Sequence, residues 1–334
     1  MKKNYYLIMI LCTLLFLSCK KDHGTIANTQ VNVYVAGYEH YGTTNVAKYW
    51  KNGNPVNLSD GSHYAAASSI VVSGNDVYVA GIEYNSGNRE VAKYWKNGSA
   101  VMLSDGSKHV TATSIAVSGN NVYVAGFEHD DNRSIARYWK NGVPYNLTFS
   151  QYGFAYAYSI AVSGNDVYVA GKDEYGVATY WKNGNPVALS SDANALSIAV
   201  SGNDVYAAGI NFGGLFNRNG IFWKNGIPGN LTDSSYETFA SSIAVSGSDV
   251  YVAGEEYKRA SFLATYWKNG NMVTLSSNYS GGSSIAVSGN DVFVAGWDSN
   301  GINNIATYWK NGNPVSLSDG SRDAAANSIF LAIQ

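Results

Sequence analysis

Histidine is the side chain in this sequence with the widest chemical use, since it can transfer protons or ligate a metal. Four histidines follow the first thirty residues: His40, His63, His109 and His129. None has a local ligand spacing such as His-x-x-x-His, so we expect neither a metal site nor a cofactor. Cys12 and Cys19 both lie in the first twenty residues, which excludes thiol chemistry and cysteine-ligated zinc from the rest of the chain.

Aromatic side chains form a second set of candidates, because their faces stack on sugar rings or grip peptides. Trp297 is the one tryptophan of eight that lies outside a repeated motif. It either contacts a ligand or packs against a neighbouring element. Other aromatic candidates lie in stretches that vary between repeats: Tyr41, Tyr84, Phe127, Tyr175, Phe212 and Tyr257. Together with the four histidines, these residues are the predicted ligand-binding set.

Carboxylates recur at one position of the repeat: Glu39, Glu83, Glu128, Asp173, Glu256 and Asp298, with Asn211 in the fifth unit. Such a ring could serve acid–base or metal chemistry. However, a cation accompanies each of the first three, namely Lys48, Lys93 and Arg137, whereas Thr179, Thr265 and Thr307 stand in three later units. We therefore predict structural pairs and assign no catalytic residue.

The alternative function is that of a polysaccharide lyase or glycoside hydrolase. It would need two carboxylates about 5–9 Å apart, or a His or Tyr base beside a positive clamp. Its candidate residues are His40, His63, His109, His129, Glu128, Asp130 and Arg133. The repeats diverge little, whereas catalysis usually requires some of them to specialise. The sequence therefore favours a non-catalytic binding module.

These candidates are positioned by a repeat with a period of 42 to 45 residues. Each unit contains Tyr-Trp-Lys-Asn-Gly or a Phe variant, with tryptophans at Trp50, Trp95, Trp139, Trp181, Trp223, Trp267 and Trp309. A Val-Tyr-Val-Ala-Gly run precedes each tryptophan, and a Ser-Ile-Ala-Val-Ser-Gly run separates consecutive units. Such a period, with several short strands per unit, is typical of a β-propeller.

The second unit predicts four strands, A to D: Ser69–Ser73, Val77–Ile82, Val91–Lys96 and about Ala100–Ser104. Gly74-Asn75-Asp76 and Asn97-Gly98 predict tight turns between A and B and between C and D. The first unit lacks strand A, and the chain ends in one. We therefore predict an all-β, seven-bladed propeller of four-stranded antiparallel blades over residues 31–334, closed by 328–333 pairing beside 31–37.

Each repeated tryptophan should be buried between blades. Burial of about 200 Å² corresponds to roughly 5 kcal/mol of apolar stabilisation at about 25 cal/mol/Å². The A–B and C–D turns are nearly constant and share one rim of the ring. The B–C and D–A loops vary and share the other, here called the variable face, where we expect the ligand. His40 and His129 are predicted in B–C loops, and His63 and His109 in D–A links.

Residues 1–18 read as a signal peptide, since a basic start precedes an apolar run too short to span a bilayer. Phe16-Leu17-Ser18-Cys19 resembles a bacterial lipobox, and that resemblance implies cleavage before Cys19 and acylation of its sulfur. Residues 19–30 are polar and predict a flexible tether.

The remaining predictions concern partners and location. A net charge of −2 gives no basic surface for nucleic acid. In its repeated Ser-Ile-Ala-Val-Ser-Gly, Val-Tyr-Val-Ala-Gly and Tyr-Trp-Lys-Asn-Gly segments and in its lipobox-like sequence, the chain resembles repeat-type β-propeller lipoproteins of gram-negative bacteria. The resemblance implies a cell-envelope protein at the outer membrane, periplasmic or surface-facing, held only by a lipid anchor. We expect a monomer with a glycan or protein ligand; a structural scaffold that docks through its constant rim is a further alternative.

Overall fold

The computed structural model describes residues 30–333, except 131, 150–151, 214–217, 232–236 and 259. Within this part of the chain, 29 β-strands form seven four-stranded sheets, one of which carries a short fifth strand. The predicted seven-bladed propeller is confirmed. The predicted signal peptide, the lipidation at Cys19 and nearly all of the tether lie outside the described residues.

The strands follow the predicted A-to-D order in every blade. Those of blades one to four are β1 (Val31–Tyr41), β2 (Thr44–Lys51) and β3 (Asn54–Asn57); β4 (Ala65–Ser73), β5 (Asp76–Tyr84), β6 (Glu90–Lys96) and β7 (Ser99–Met102); β8 (His109–Ser118), β9 (Asn121–Asp130), β10 (Arg133–Lys140), β11 (Val143–Asn146) and the short β12 (Gly153–Phe154); β13 (Tyr156–Ser163), β14 (Asp166–Lys172), β15 (Ala178–Lys182) and β16 (Asn185–Ser190). Those of blades five to seven are β17 (Ala193–Ser201), β18 (Asp204–Phe212), β19 (Arg218–Lys224) and β20 (Ile227–Asn230); β21 (Thr238–Ser246), β22 (Asp249–Lys258), β23 (Ser261–Lys268) and β24 (Asn271–Thr274); β25 (Ser280–Ser288), β26 (Asp291–Ser299), β27 (Asn304–Lys310) and β28 (Asn313–Ser316). Strand β29 (Ala324–Ile333) is the A strand of blade one.

The ring is closed as predicted, because β29 pairs antiparallel with β1 from Val31–Ile333 to Glu39–Ala324. The repeated Ser-Ile motif adds a second closure. In each blade the serine Oγ of strand A accepts a hydrogen bond from the isoleucine N–H of the next A strand. The donors and acceptors are Ile70 and Ser328, Ile115 and Ser69, Ile160 and Ser114, Ile198 and Ser159, Ile243 and Ser197, Ile285 and Ser242, and Ile329 and Ser284, at 3.1 to 3.3 Å. The motif therefore joins neighbouring blades.

The glycine of Val-Tyr-Val-Ala-Gly is required by a close approach within the blade. A β-bulge shifts the A–B register next to it, for example between Ala67 and Ser69. A Cβ on Gly81 would overlap the carbonyl oxygen of Ala66 and lie 3.0 Å from the Trp95 ring. The glycine thus admits both the bulged strand and the repeated tryptophan.

The constant rim is constant for structural reasons. In Lys-Asn-Gly, Asn97 has a φ of 51° and forms the tight turn with Gly98. Its Oδ1 accepts from the N–H of Val77 (2.9 Å), and its Nδ2 donates to Asp76 (2.8 Å), so the C–D turn is joined to the A–B turn. Equivalent bonds recur in the other blades, with Asn in place of Asp in blades one and three.

The seven repeated tryptophans are at most 1% exposed. Trp50 of blade one packs with Phe293, Ala295 and Ala306 of blade seven. The predicted burial between blades is therefore confirmed, and the core consists of successive inter-blade layers.

Candidate functional site

On the variable face, the blades differ most from one another at the strand-B residue that follows the conserved glycine. This position holds Tyr38, Ile82, Phe127, Lys172, Ile210, Glu255 and Trp297 in blades one to seven. Each residue lies opposite a residue near the start of strand A of the same blade, as Glu255 lies opposite Phe239 and Trp297 opposite Gly281. The register therefore places a different side chain from every blade at one level of the same face.

Blades six and seven carry a continuous aromatic surface on this face, formed by Phe239, Tyr257, Phe262, Tyr279 and Trp297. Phe262 contacts Phe239 (5.6 Å between ring centroids), Tyr257 (4.9 Å) and Tyr279 (6.3 Å). Tyr279 in turn contacts Trp297 at 4.7 Å. Tyr279 is 50% and Tyr257 37% exposed, so the surface is open to a ligand. Two predicted residues, Trp297 and Tyr257, are thereby brought onto one surface.

Glu255 lies at the inter-blade end of the aromatic surface, where its side chain and that of Trp297 fill the space above Gly281. A Cβ on Gly281 would overlap Glu255 Oε1 and lie 2.6 Å from Trp297 Nε1. The carboxylate of blade six and the indole N–H of blade seven therefore share one small space. Among the described residues, neither group has a hydrogen-bond or ion-pair partner.

Burial raises the pKa of Glu255 to about 7, because desolvation disfavours the ionised carboxylate and no described cation or donor offsets it. Near neutral pH the group is therefore divided between its ionised and neutral forms. This combination of an unpartnered polar group and a perturbed pKa, on the face where blades differ, is typical of functional sites.

The repeated acidic position behaves differently in blades one to three, where it is neutralised internally. Lys48, 2% exposed, pairs with Glu39, and Tyr41 donates to the same carboxylate (3.1 Å). Lys93 pairs with Glu83 at 2.6 Å. Glu128 is held by Arg137 at 2.8 Å and also by Lys108. These contacts support the prediction of structural pairs in these blades.

The later blades replace the pair by other arrangements. Asp173 accepts from the N–H groups of Tyr175 and Val177, and Asp298 accepts from Ser276 Oγ (2.9 Å). Glu256 is 3% exposed, and its Oε2 has no hydrogen-bond partner among the described residues. Its nearest cation is Lys258, 3.9 Å from Oε1. A groove of about 600 Å³, lined by Lys258 and Leu263 among others, lies beside it.

Two of the four histidines are brought together. His109 and His129 are directly opposite each other on β8 and β9, and they line a groove of about 310 Å³ with Arg89, Lys108 and Asp130. Both lie in strands rather than in the predicted link and loop, because these strands extend further toward the variable face than the sequence pattern indicates. Backbone N–H of Glu90 donates to Nδ1 of His109 (3.3 Å).

The cations and carboxylates of the alternative catalytic set are already engaged near this groove. Arg133 Nε lies 3.5 Å from Asp130, and Glu128 is held by Arg137 and Lys108. No group of three or more His, Cys, Asp or Glu side chains in the described residues is placed to hold a metal ion.

The other two histidines are separate from this pair. His40 lies in strand β1 rather than in the predicted loop, and its Nδ1–H donates to Asn45 Oδ1 (2.8 Å). His63 is exposed in the link after blade one, as predicted.

The remaining predicted aromatic residues lie apart from the aromatic surface. Tyr41 stacks under Arg322 (4.3 Å), and Phe127 contacts Tyr156 (4.8 Å). Tyr175 is 83% and Phe212 37% exposed.

Tyr84 is different, because its hydroxyl donates to Glu90 (2.9 Å). Burial and this bond raise its pKa to about 12.

Sequence reasoning did not select Glu255, Phe239, Phe262 or Gly281. The available signal for Glu255 was its acidic type at a position that is aromatic, aliphatic or basic in the other blades.

Comparison with protein-family models finds the LVIVD repeat, at residues 111–130 and 155–175. These stretches cover most of strands A and B of blades three and four. The chain is a repeat-type β-propeller.

No curated protein matches it. No helix in the described part of the chain is long and apolar enough to cross a membrane.

Solved structures share the architecture at low identity. The acylaminoacyl peptidase of Pyrococcus horikoshii matches with a TM-score of 0.52 and 13% identity, over 88% of this chain and 52% of that one. The periplasmic gluconolactonase PpgL of Pseudomonas aeruginosa matches with a TM-score of 0.51 and 10% identity, over 91% of this chain and 100% of that one. TolB of Acinetobacter baumannii matches with a TM-score of 0.52 and 8% identity, over 89% of this chain and 66% of that one. The chain spans about half the length of the peptidases it matches first. At these identities the similarity shows the fold alone.

Proposed function

We propose that this protein is an envelope-anchored, non-catalytic binding propeller that holds a glycan or protein ligand on its variable face. The observation that carries the proposal is the aromatic surface of blades six and seven, which links four rings to Trp297 and remains open at Tyr257 and Tyr279. Rings of this kind present large, rigid contact area with little side-chain entropy to lose.

A glycan is the favoured ligand. The aromatic faces can stack on the apolar faces of sugar rings, while the Trp297 N–H and the Glu255 carboxyl supply adjacent donor and acceptor groups for hydroxyls.

The anchor in this proposal rests on the lipobox-like Phe16-Leu17-Ser18-Cys19 sequence, and it implies a bacterial outer-membrane location. Replacing Cys19 by alanine should move the protein from the membrane fraction to the soluble fraction; unchanged fractionation would remove the anchor from the proposal.

The binding proposal is tested with a glycan array and an envelope-protein pull-down, comparing wild type, Trp297→Ala and Tyr175→Ala. Trp297→Ala should lower affinity about 10-fold or more, since it removes one edge of the aromatic surface. Tyr175→Ala removes a more exposed ring from blade four and should leave binding unchanged. Retained binding in Trp297→Ala, with the fold intact by circular dichroism, would contradict the proposed surface. Capture of a protein with no glycan signal would instead identify a protein ligand.

A further inference from the structure

A groove of about 310 Å³ opens on the variable face between blades two and three, across the ring from the aromatic surface. Its volume is within the range of small-molecule sites. The B–C loop of blade two supplies Arg89, and the link into blade three supplies Lys108. Strands of blade three supply His109, His129 and Asp130. The lining of the groove therefore has two cations and two histidines for one carboxylate.

That carboxylate is already neutralised within blade three. Asp130 Oδ1 accepts from two backbone N–H groups of the following loop, both at 3.1 Å, and Arg133 Nε lies 3.5 Å from Oδ2. Lys108 pairs with Glu128, which Arg137 also holds at 2.8 Å. Two cations thus share one carboxylate, and this group of three side chains has one positive charge in excess.

Arg89 adds a second positive charge, with no carboxylate partner among the described residues. Its side chain is exposed, and Nη1 donates to the carbonyl of Ser107 (2.5 Å), which fixes the guanidinium beside the link that carries Lys108. The neighbouring carboxylate of Glu90 instead accepts from two hydroxyl groups, at 2.7 and 2.9 Å. A guanidinium has five N–H donors, so Arg89 has donors left for a ligand.

The two histidines have their Nδ1 atoms engaged by the protein. His109 Nδ1 accepts from the N–H of Glu90 (3.3 Å), so its neutral ring carries the proton on Nε2, which is then a donor. His129 Nδ1 shares a hydrogen bond with Ser134 Oγ (2.7 Å). At the position of His109 the other six blades have acidic or aromatic residues: Asp323, Tyr64, Phe154, Asp192, Glu237 and Tyr279. Blade three therefore has a donor where three other blades have a carboxylate.

An exposed aromatic ring lies next to these donors. Phe154 is 42% exposed, and its ring centroid is 6.0 Å from that of His129. Cationic N–H donors bind carboxylates through charge-assisted hydrogen bonds, and an adjacent aromatic face suits a sugar ring. The combination favours a ligand that is both a sugar and an anion.

We propose that this groove binds the carboxylate of a uronic acid residue, so that the glycan held on the variable face is acidic. Arg89 and Lys108 donate to the carboxylate, and His109 Nε2–H donates to another oxygen of the same sugar. This inference rests on the proposed binding function and names the class of its ligand.

Isothermal titration tests the groove with two probes that differ only in charge, tetragalacturonate and its methyl ester. Wild type should bind the acid about 10-fold or more tightly than the ester, and this preference should fall as the salt concentration is raised. Arg89→Gln and Lys108→Gln should each reduce the preference, and the double variant should abolish it. Both side chains are exposed, and circular dichroism checks that the fold is retained. The control is Lys140→Gln, which removes a positive charge from the constant rim of blade three and should change nothing.

Trp297→Ala separates this inference from the proposed function. It should lower the affinity for both probes and leave the preference for the acid unchanged, because Trp297 lies outside the groove. Equal affinity of wild type for the two probes, an unchanged preference in the double variant, or no binding of either probe would overturn the acidic-sugar groove. Glycan-array binding that Trp297→Ala abolishes would still support the proposed function. Inorganic phosphate, titrated alone, distinguishes a site for free anions: binding as tight as that of tetragalacturonate would overturn the uronic acid assignment.

Discussion

Blades one to three and blades six and seven use the same face of the same repeat in opposite ways. In the first group, each glutamate at the acidic position is neutralised by a cation from strand C, and Lys48 is almost fully buried in the process. In the second group, Thr265 and Thr307 replace that cation. The buried Oε2 atom of Glu256 has no hydrogen-bond partner, and neither oxygen of Glu255 has a partner among the described residues.

The difference shows how a repeat can acquire a site without changing its frame. The tryptophan layers, the serine ring and the Lys-Asn-Gly turns are common to both groups, and they account for the stability of the ring. Removing internal compensation in one pair of blades leaves Glu255 and the Oε2 atom of Glu256 without a hydrogen-bond partner among the described residues. The comparison therefore predicts that charges in blades one to three serve stability, whereas those in blade six reduce it.

The largest expected effect is at Lys48. Lys48→Met should lower the free energy of unfolding by about 3–5 kcal/mol, since it leaves the Glu39 carboxylate, 9% exposed, without its cation. Urea unfolding followed by tryptophan fluorescence measures the change. The control is Lys96→Met, which breaks an exposed pair with Asp76 on the constant rim and should have little effect. Equal effects of the two substitutions would contradict a stabilising role for the buried pair.

The next effect is the pH dependence of stability that Glu255 contributes. Burial raises its pKa in the folded protein from the ordinary 4.5 to about 7, so the folded state holds this proton more tightly than the unfolded state. The contribution is fully present below pH 4.5 and is lost as pH rises through 7. By linkage it is on the order of 3 kcal/mol.

Glu255→Gln should remove this dependence, because glutamine does not titrate. The variant should therefore be more stable than wild type at pH 8 and similar to it at pH 4.5. Unfolding curves at both pH values measure this. Parallel stability profiles for the two proteins would mean that the carboxyl is already compensated in the folded state.

How much the sequence could predict follows from the same comparison. The fold was accessible because the tryptophan period and the spare terminal strand specify seven blades and their closure. The pairs of blades one to three were accessible because Glu39 and Lys48 recur in register with Glu83 and Lys93. The meeting of Glu255 and Trp297 above Gly281 was not accessible. A β-bulge between Gly282 and Ser284 shifts the pairing by one residue, so counting along the strands places Gly282, not Gly281, opposite Trp297.

The smallest expected effect is a gain in stability from converting blade six to the arrangement of blades one to three. Thr265 is fully buried and occupies the strand-C position of Lys48, beside the carboxylate of Glu256. Thr265→Lys should place an ammonium group near the unpartnered Oε2 and use the groove of about 600 Å³ as space for its side chain. Because desolvation of the new charge offsets most of the attraction, we expect a gain of about 1 kcal/mol.

The matched control is Thr307→Lys in blade seven, where Asp298 is shorter and already accepts from Ser276. Thr307→Lys should have a lower free energy of unfolding than wild type. Its new ammonium group is buried beside a carboxylate that already accepts a hydrogen bond from Ser276. Thermal unfolding of both variants compares them directly. A loss of stability in Thr265→Lys as large as that in Thr307→Lys would mean that Glu256 is satisfied by water. The contrast between the two groups of blades would then rest on Glu255 and the aromatic surface alone.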